Sequence, residues 1–129
     1  AYNASLESMR ASLQYLAKWK NTRKIAVLGD MLELGGYAQN LHEQVGKEVY
    51  QNRMDILICT GENAQYIVKG AKEAGMPQED IYYLNNIEEV ENKLTQCAKS
   101  GDVILLKASN GMRFFDIVEN LKEVLLCKN

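Results

Sequence analysis

The residues of this chain that could do chemistry gather at the ends of short apolar runs. "KIAVLGDMLELGG" (24–36) passes from Lys24–Leu28 into Gly29-Asp30, with Glu33 three residues on. Other runs end on Thr60-Gly61, on Asn85-Asn86, and on Lys107-Ala108-Ser109-Asn110-Gly111. An aspartate directly after the glycine would repel a phosphate, but it suits an ammonium group, as does Glu33. Lys107, with Ser109, Asn110 and the start of a helix near Met112, suits a carboxylate. A zwitterion such as an amino acid or short peptide finds both signs here. His42 adds an imidazole close by in sequence. Plainer roles exist for each: Asp30, Ser109 or Asn110 as caps, Glu33 as a solvated charge, Lys107 as a stem over apolar surface, and His42 as an exposed or hydrogen-bonded ring.

Several chemistries are excluded from this segment. It contains neither GxGxxG nor GxxxxGK[ST], so it has no phosphate cradle of its own, and no nucleophile elbow. His42 has no HExxH or cysteine partner, and Cys59, Cys97 and Cys127 have no CxxC spacing, so no metal site is expected and the cysteines read as core residues. The net charge of −2 is interspersed, which disfavours nucleic acid and membrane surfaces as partners. No apolar run approaches the ~20 residues of a membrane span, and no signal-peptide pattern opens the chain, so the expected compartment is the cytoplasm.

These groups need strand ends to hold them. The 129 residues are enough for one domain with a proper core. Leu6, Met9, Leu13 and Leu16 make one helical stripe within residues 6–19. Lys24–Leu28 reads as a buried strand, residues 39–53 as a helix with Leu41, Val45 and Val49 inward, and 55–61 as a second strand. A helix through Ala64, Ile67, Val68 and Ala71 closes at Gly75 and Pro77. Residues 81–84 form a third strand, and Asn86 with Glu89 resembles a capping box opening a helix through Val90, Leu94 and Cys97. The expected last strand is 102–109, followed by a final helix lined by Phe114, Ile117, Val118, Leu121 and Leu125. Alternating strands and helices, with strands that lack a polar face, predict an α/β Rossmann-like three-layer sandwich on a mainly parallel sheet. Ligands of such sheets settle beyond the carboxyl ends of the strands.

Three stretches together resemble a known family, the Mur ligases. "YNASLESM" is similar to their D-x-YNANP-x-SM segment, "KIAVLGDMLELG" with "LHEQVG" to VLGDMxELG…H…VG, and "GDVILLKASNGM" to GDxxLxKGSRxM. Order and spacing fit the C-terminal domain of the branch that adds D-alanyl-D-alanine to UDP-N-acetylmuramoyl-tripeptide, over essentially the whole chain. Ser5 and Leu6 stand where the family has asparagine and proline, and Ala108 and Asn110 where it has glycine and arginine. The last change removes a fixed planar cation.

The resemblance implies one Mur ligase C-terminal domain over 1–129, excised from a three-domain enzyme; the chain begins at Ala1 without methionine. Covalently linked N-terminal and central domains would hold the UDP-sugar and the ATP with Mg2+. ATP would phosphorylate the peptide carboxylate, the dipeptide amine would attack the acyl phosphate, and phosphate would leave, a step of peptidoglycan synthesis and so of cell wall biogenesis. On this reading Asp30, Glu33 and His42 orient D-alanyl-D-alanine, and Lys107, Ser109 and Asn110 face its carboxylate or the acyl phosphate. Tyr2, Asn3 and Ser5 contact the nucleotide or the inter-domain cleft, and the domain alone is inactive. Alternatives are a related amide ligase domain, folylpolyglutamate synthetase-like, and a non-catalytic flavodoxin-like binding module. "LGDMLELG" argues against the first, and a second strand ending on Cys59-Thr60-Gly61 rather than an aspartate argues against a phosphoacceptor.

Overall fold

Four uninterrupted apolar stretches set the frame, because a strand with no polar face is stable only when both faces are covered. The computed structural model describes the backbone of residues 4–108 and 123–128, and the side chains of residues 6–107. Its strands are β1 (Lys24–Leu28), β2 (Ile56–Thr60), β3 (Ile81–Leu84), β4 (Val103–Ala108) and β5 (Glu123–Lys128). They form one sheet in the order β3-β2-β1-β4-β5, with every pairing parallel. The chain therefore builds outward from β1 to β3, then returns to place β4 on the other side of β1.

The helical stripes sort onto the two faces. Helices α1 (Ala4–Ala17), α2 (Ala38–Gln51) and α3 (Ala64–Ala74) share one core with Ala26, Leu28, Leu57, Cys59, Val103 and Leu105. Helix α4 (Ile87–Cys97) brings Val90 and Leu94 against Ile25, Val27, Ile56, Ile58, Ile104 and Leu106 on the opposite face. This is the expected three-layer sandwich, and α4 opens as the sequence predicts: Asn86 accepts the Glu89 N–H at 2.9 Å, while Glu89 accepts the Asn85 N–H at 3.0 Å.

The C-terminal end corrects one expectation. The strand at 103–108 is not the last, and Leu125 lies in a strand rather than in the final helix. β5 pairs with β4 from Val103 opposite Glu123 to Ala108 opposite Lys128. The run Val124-Leu125-Leu126-Cys127 is continuously apolar, the pattern of a strand in a parallel sheet; the four-residue step from Leu121 to Leu125 imitates helical spacing. Phe114, Ile117, Val118 and Leu121 lie outside the described residues.

Two devices fix the helices that flank the site. A Cβ at Gly46 would lie 1.9 Å from the Ile67 carbonyl oxygen, and one at Gly70 would lie 2.0 Å from that of Glu43. Only glycine admits so close an approach of α2 and α3. Arg10 of α1 grips the buried Glu48 of α2 with Nε at 2.6 Å and Nη2 at 3.2 Å, and Gln44 supports the same carboxylate at 3.2 Å. At the sheet's amino edge, Arg23 binds both oxygens of Asp102 at 3.0 and 2.6 Å, joining the entries to β1 and β4.

Candidate functional site at the β1–β4 switch

The strand order reverses between β1 and β4, and the crevice outside such a switch point is where open α/β sheets bind ligands. Leu28 pairs with Lys107, and the Gly29 N–H donates to the Lys107 carbonyl at 3.0 Å. Asp30 thus leaves the sheet one residue beyond the last rung that joins these strands. Asp30 and Lys107 stand on neighbouring strands at one edge.

Asp30 does not cap the turn that follows it. Its Oδ1 accepts the N–H of Ala64, the first residue of α3, at 2.9 Å. Gly61 makes room: its φ is +120°, and a Cβ there would lie 2.3 Å from that oxygen. Tyr83 of β3 closes the same loop by donating its hydroxyl to the Gly61 carbonyl at 2.6 Å. Partial burial and then the nearby Asp30 charge push the Tyr83 phenol up. The Cys59 thiol is also pushed up, by full burial and then by Asp30, which leaves it an inert core group. Among the described residues, Asp30 Oδ2 accepts no hydrogen bond.

The loop after Asp30 is pinned at both ends and strained between them. Met31 and Leu34 are buried, whereas Leu32 and Glu33 are exposed. Glu33 has φ +62°, a left-handed conformation that costs a non-glycine residue about 1 kcal/mol or more and persists only where its surroundings impose it. His42 is fully buried behind this loop. Its Nε2 accepts the Met31 N–H at 2.9 Å, so Nδ1 carries the proton and donates to the Ala38 carbonyl at 2.6 Å. Burial holds the His42 pKa below its ordinary value, against the opposing effects of the Ala38 carbonyl and the Asp30 charge. Both ring nitrogens are thus engaged within the protein, which matches the plainer reading of His42 as a hydrogen-bonded ring.

Lys107 is 2% exposed and sits beneath α1, where its Nζ donates to Ser8 Oγ at 2.8 Å. It is not a surface lysine with a solvated head. The pair joins two of the three family-like stretches: Ser8-Met9 ends the first and Lys107 lies in the third. Ser109, Asn110, Tyr2 and Asn3 lie outside the described residues, as does the Ser5 side chain. Sequence reading missed Ser8, although it sits inside a quoted motif. It also missed Tyr83, which carries no local signal. The described residues contain no group of three His, Cys, Asp or Glu side chains able to hold a metal.

With this geometry in view, comparison with known proteins decides the family. Residues 1–110 match the model of the Mur ligase, glutamate ligase domain. The chain belongs to that family. This Mur ligase domain is 32% identical over 124 residues to the UDP-N-acetylmuramoyl-tripeptide–D-alanyl-D-alanine ligase of Bacillus subtilis, covering 95% of the chain and 27% of that protein. Against the ligase of the same name from Synechocystis, identity is 34%, with 93% of the chain and 26% of the relative covered. The crystal structure of MurF ligase from Thermotoga maritima in complex with ADP superposes with a TM-score of 0.70 at 29% identity, covering 92% of this domain and 26% of that chain. The Mur ligase domain therefore spans about a quarter of the length of these relatives.

Proposed function

We propose that this domain receives D-alanyl-D-alanine in a cytoplasmic, ATP-dependent ligase that joins the dipeptide to UDP-N-acetylmuramoyl-tripeptide during peptidoglycan precursor synthesis. The observation that carries the reading is the Asp30 carboxylate at the β1–β4 switch, with one oxygen held by α3 and the other without a partner among the described residues. A carboxylate fixed in this way offers a pre-oriented acceptor to an ammonium group. Glu33 on the strained loop adds a second negative charge. Lys107, Ser109 and Asn110 are assigned to the dipeptide carboxylate or the acyl phosphate. The Lys107 ammonium is buried, so its attraction for an anion is little screened.

The described residues contain no group of three His, Cys, Asp or Glu side chains that could hold a metal by themselves, and the sequence lacks a phosphate loop. ATP and Mg2+ are therefore assigned to the other parts of the enzyme, with Tyr2, Asn3 and Ser5 near the nucleotide or the inter-domain cleft. This domain's share of the chemistry is to hold the attacking amine close to the activated carboxylate and to exclude water from it. A ligation assay with the complete polypeptide tests the reading: it should consume D-alanyl-D-alanine in preference to D-glutamate or L-glutamate. Preference for either glutamate would overturn it.

A further inference from the structure

We infer that His42 is a positioning residue, a neutral imidazole that holds the acidic loop 30–34 in its binding shape through the Met31 N–H. Four observations converge on it. Glu33 occupies a left-handed conformation that its own side chain does not favour. Met31 and Leu34, on either side of the exposed pair Leu32-Glu33, are buried. The Met31 N–H finds its acceptor in His42 Nε2, and the imidazole is itself held by Ala38 at the start of α2. Asp30, the neighbour of Met31, is clamped from the other side by Ala64. The backbone from Asp30 to Leu34 is thus suspended between α2 and α3, whose mutual distance is set by Gly46 and Gly70. Removal of the imidazole leaves a buried N–H without an acceptor and frees the strained turn to relax, which moves Glu33 and loosens Asp30. Because the acidic loop meets the incoming amine rather than the reacting carboxylate, the loss falls on dipeptide binding and not on the chemical step.

The kinetic part of this inference rests on the proposed ligase function; the structural part does not. The test uses the complete enzyme containing this chain, with His42→Leu and His42→Gln compared by hydrogen–deuterium exchange and by steady-state kinetics. The leucine variant is expected to exchange faster over residues 30–34, with β1 and the body of α2 unchanged. Its KM for D-alanyl-D-alanine should rise about tenfold, the order expected from one unsatisfied buried N–H, with kcat nearly constant. Glutamine, whose carbonyl can accept the Met31 N–H, should recover most of both effects. Unchanged protection at 30–34 in the leucine variant overturns the inference, as does faster exchange spread evenly over the domain or a glutamine variant no better than leucine. If the unaltered enzyme does not use D-alanyl-D-alanine, the functional reading fails, while the exchange pattern still decides what His42 holds.

Discussion

Asp30 accepts the N–H of Ala64 at 2.9 Å, so a residue at the end of β1 closes the first turn of a helix that begins 34 positions later. One carboxylate oxygen is spent on the fold, and the other, without a partner among the described residues, is the one the proposed function gives to the ligand. On the proposed function, structure and recognition fall to two atoms of one side chain, and substitutions can separate them.

Asp30→Asn keeps an oxygen that can accept the Ala64 N–H but removes the charge. Its unfolding free energy should stay within about 0.5 kcal/mol of the parent, while KM for the dipeptide rises at least about tenfold through loss of a charge-assisted contact. Asp30→Ala removes the cap as well and should cost about 1 kcal/mol more. Urea denaturation and steady-state kinetics on the two variants check both halves. Equal destabilisation by asparagine and alanine would assign the residue to the charge at the helix start alone.

The difference between what the sequence discloses and what it hides runs along this same contact. Strands of uniform apolar character, the stripes of α1, α2 and α3, and the Asn86–Glu89 box are local patterns, so β1 and β3 are read to the residue, and β2 and β4 to within one residue at each end. Leu125 misleads because a four-residue step fits a helix as well as a continuous run fits a strand. Asp30, Gly61 and Ala64 meet across a crossover from β1 to β2, and no spacing rule announces that. His42 reads as a candidate ligand because composition does not reveal that a backbone N–H and a carbonyl occupy both its nitrogens. Lys107 and Ser8, 99 residues apart, meet only once β4 slides beneath α1.

Gly46→Ala should be among the most damaging small substitutions in the domain. The added methyl would sit 1.9 Å from the Ile67 carbonyl and 2.6 Å from the Ala71 nitrogen, both backbone atoms that cannot turn aside. Forcing α2 and α3 apart in a close-packed core is expected to cost about 3 kcal/mol, at the upper end of overpacking effects. A matched control, Gly36→Ala, adds the same methyl where no atom lies within 4 Å and should change stability little. Urea midpoints of the two variants make the comparison.

Lys107→Met tests whether the buried ammonium serves the fold or the ligand. Methionine keeps the apolar stem and gives up the bond to Ser8. Replacing a buried charge by an apolar chain of similar volume is commonly neutral or mildly stabilising, so the unfolding free energy should stay within about 1 kcal/mol of the parent. Ligation, in contrast, should fall by about tenfold or more if the cation meets an anionic substrate group. A stability loss beyond about 3 kcal/mol with little further change in kcat/KM would make Lys107 a structural tie between β4 and α1.

His42 also predicts how stability responds to pH. Burial keeps its folded pKa below the ordinary histidine value, so the folded chain holds the ring neutral where the unfolded chain begins to protonate it, at about pH 6.5. Below that point the unfolded state binds a proton that the folded state refuses. The stabilisation is therefore complete above about pH 6.5 and declines as the pH falls toward the lower folded value, with a slope of at most about 1.4 kcal/mol per pH unit. A proton on Nε2 would confront the Met31 N–H donor with a second donor, so the refusal is built into the hydrogen bond as well as the burial. Asp30 moderates the effect, because its charge favours the imidazolium. In His42→Gln the slope from this site should vanish, and its stability difference from the parent should narrow between pH 7.5 and pH 5. Parallel stability curves for the two proteins across that range would show that His42 titrates alike in the folded and unfolded chains, and that the imidazole is not locked in its neutral form.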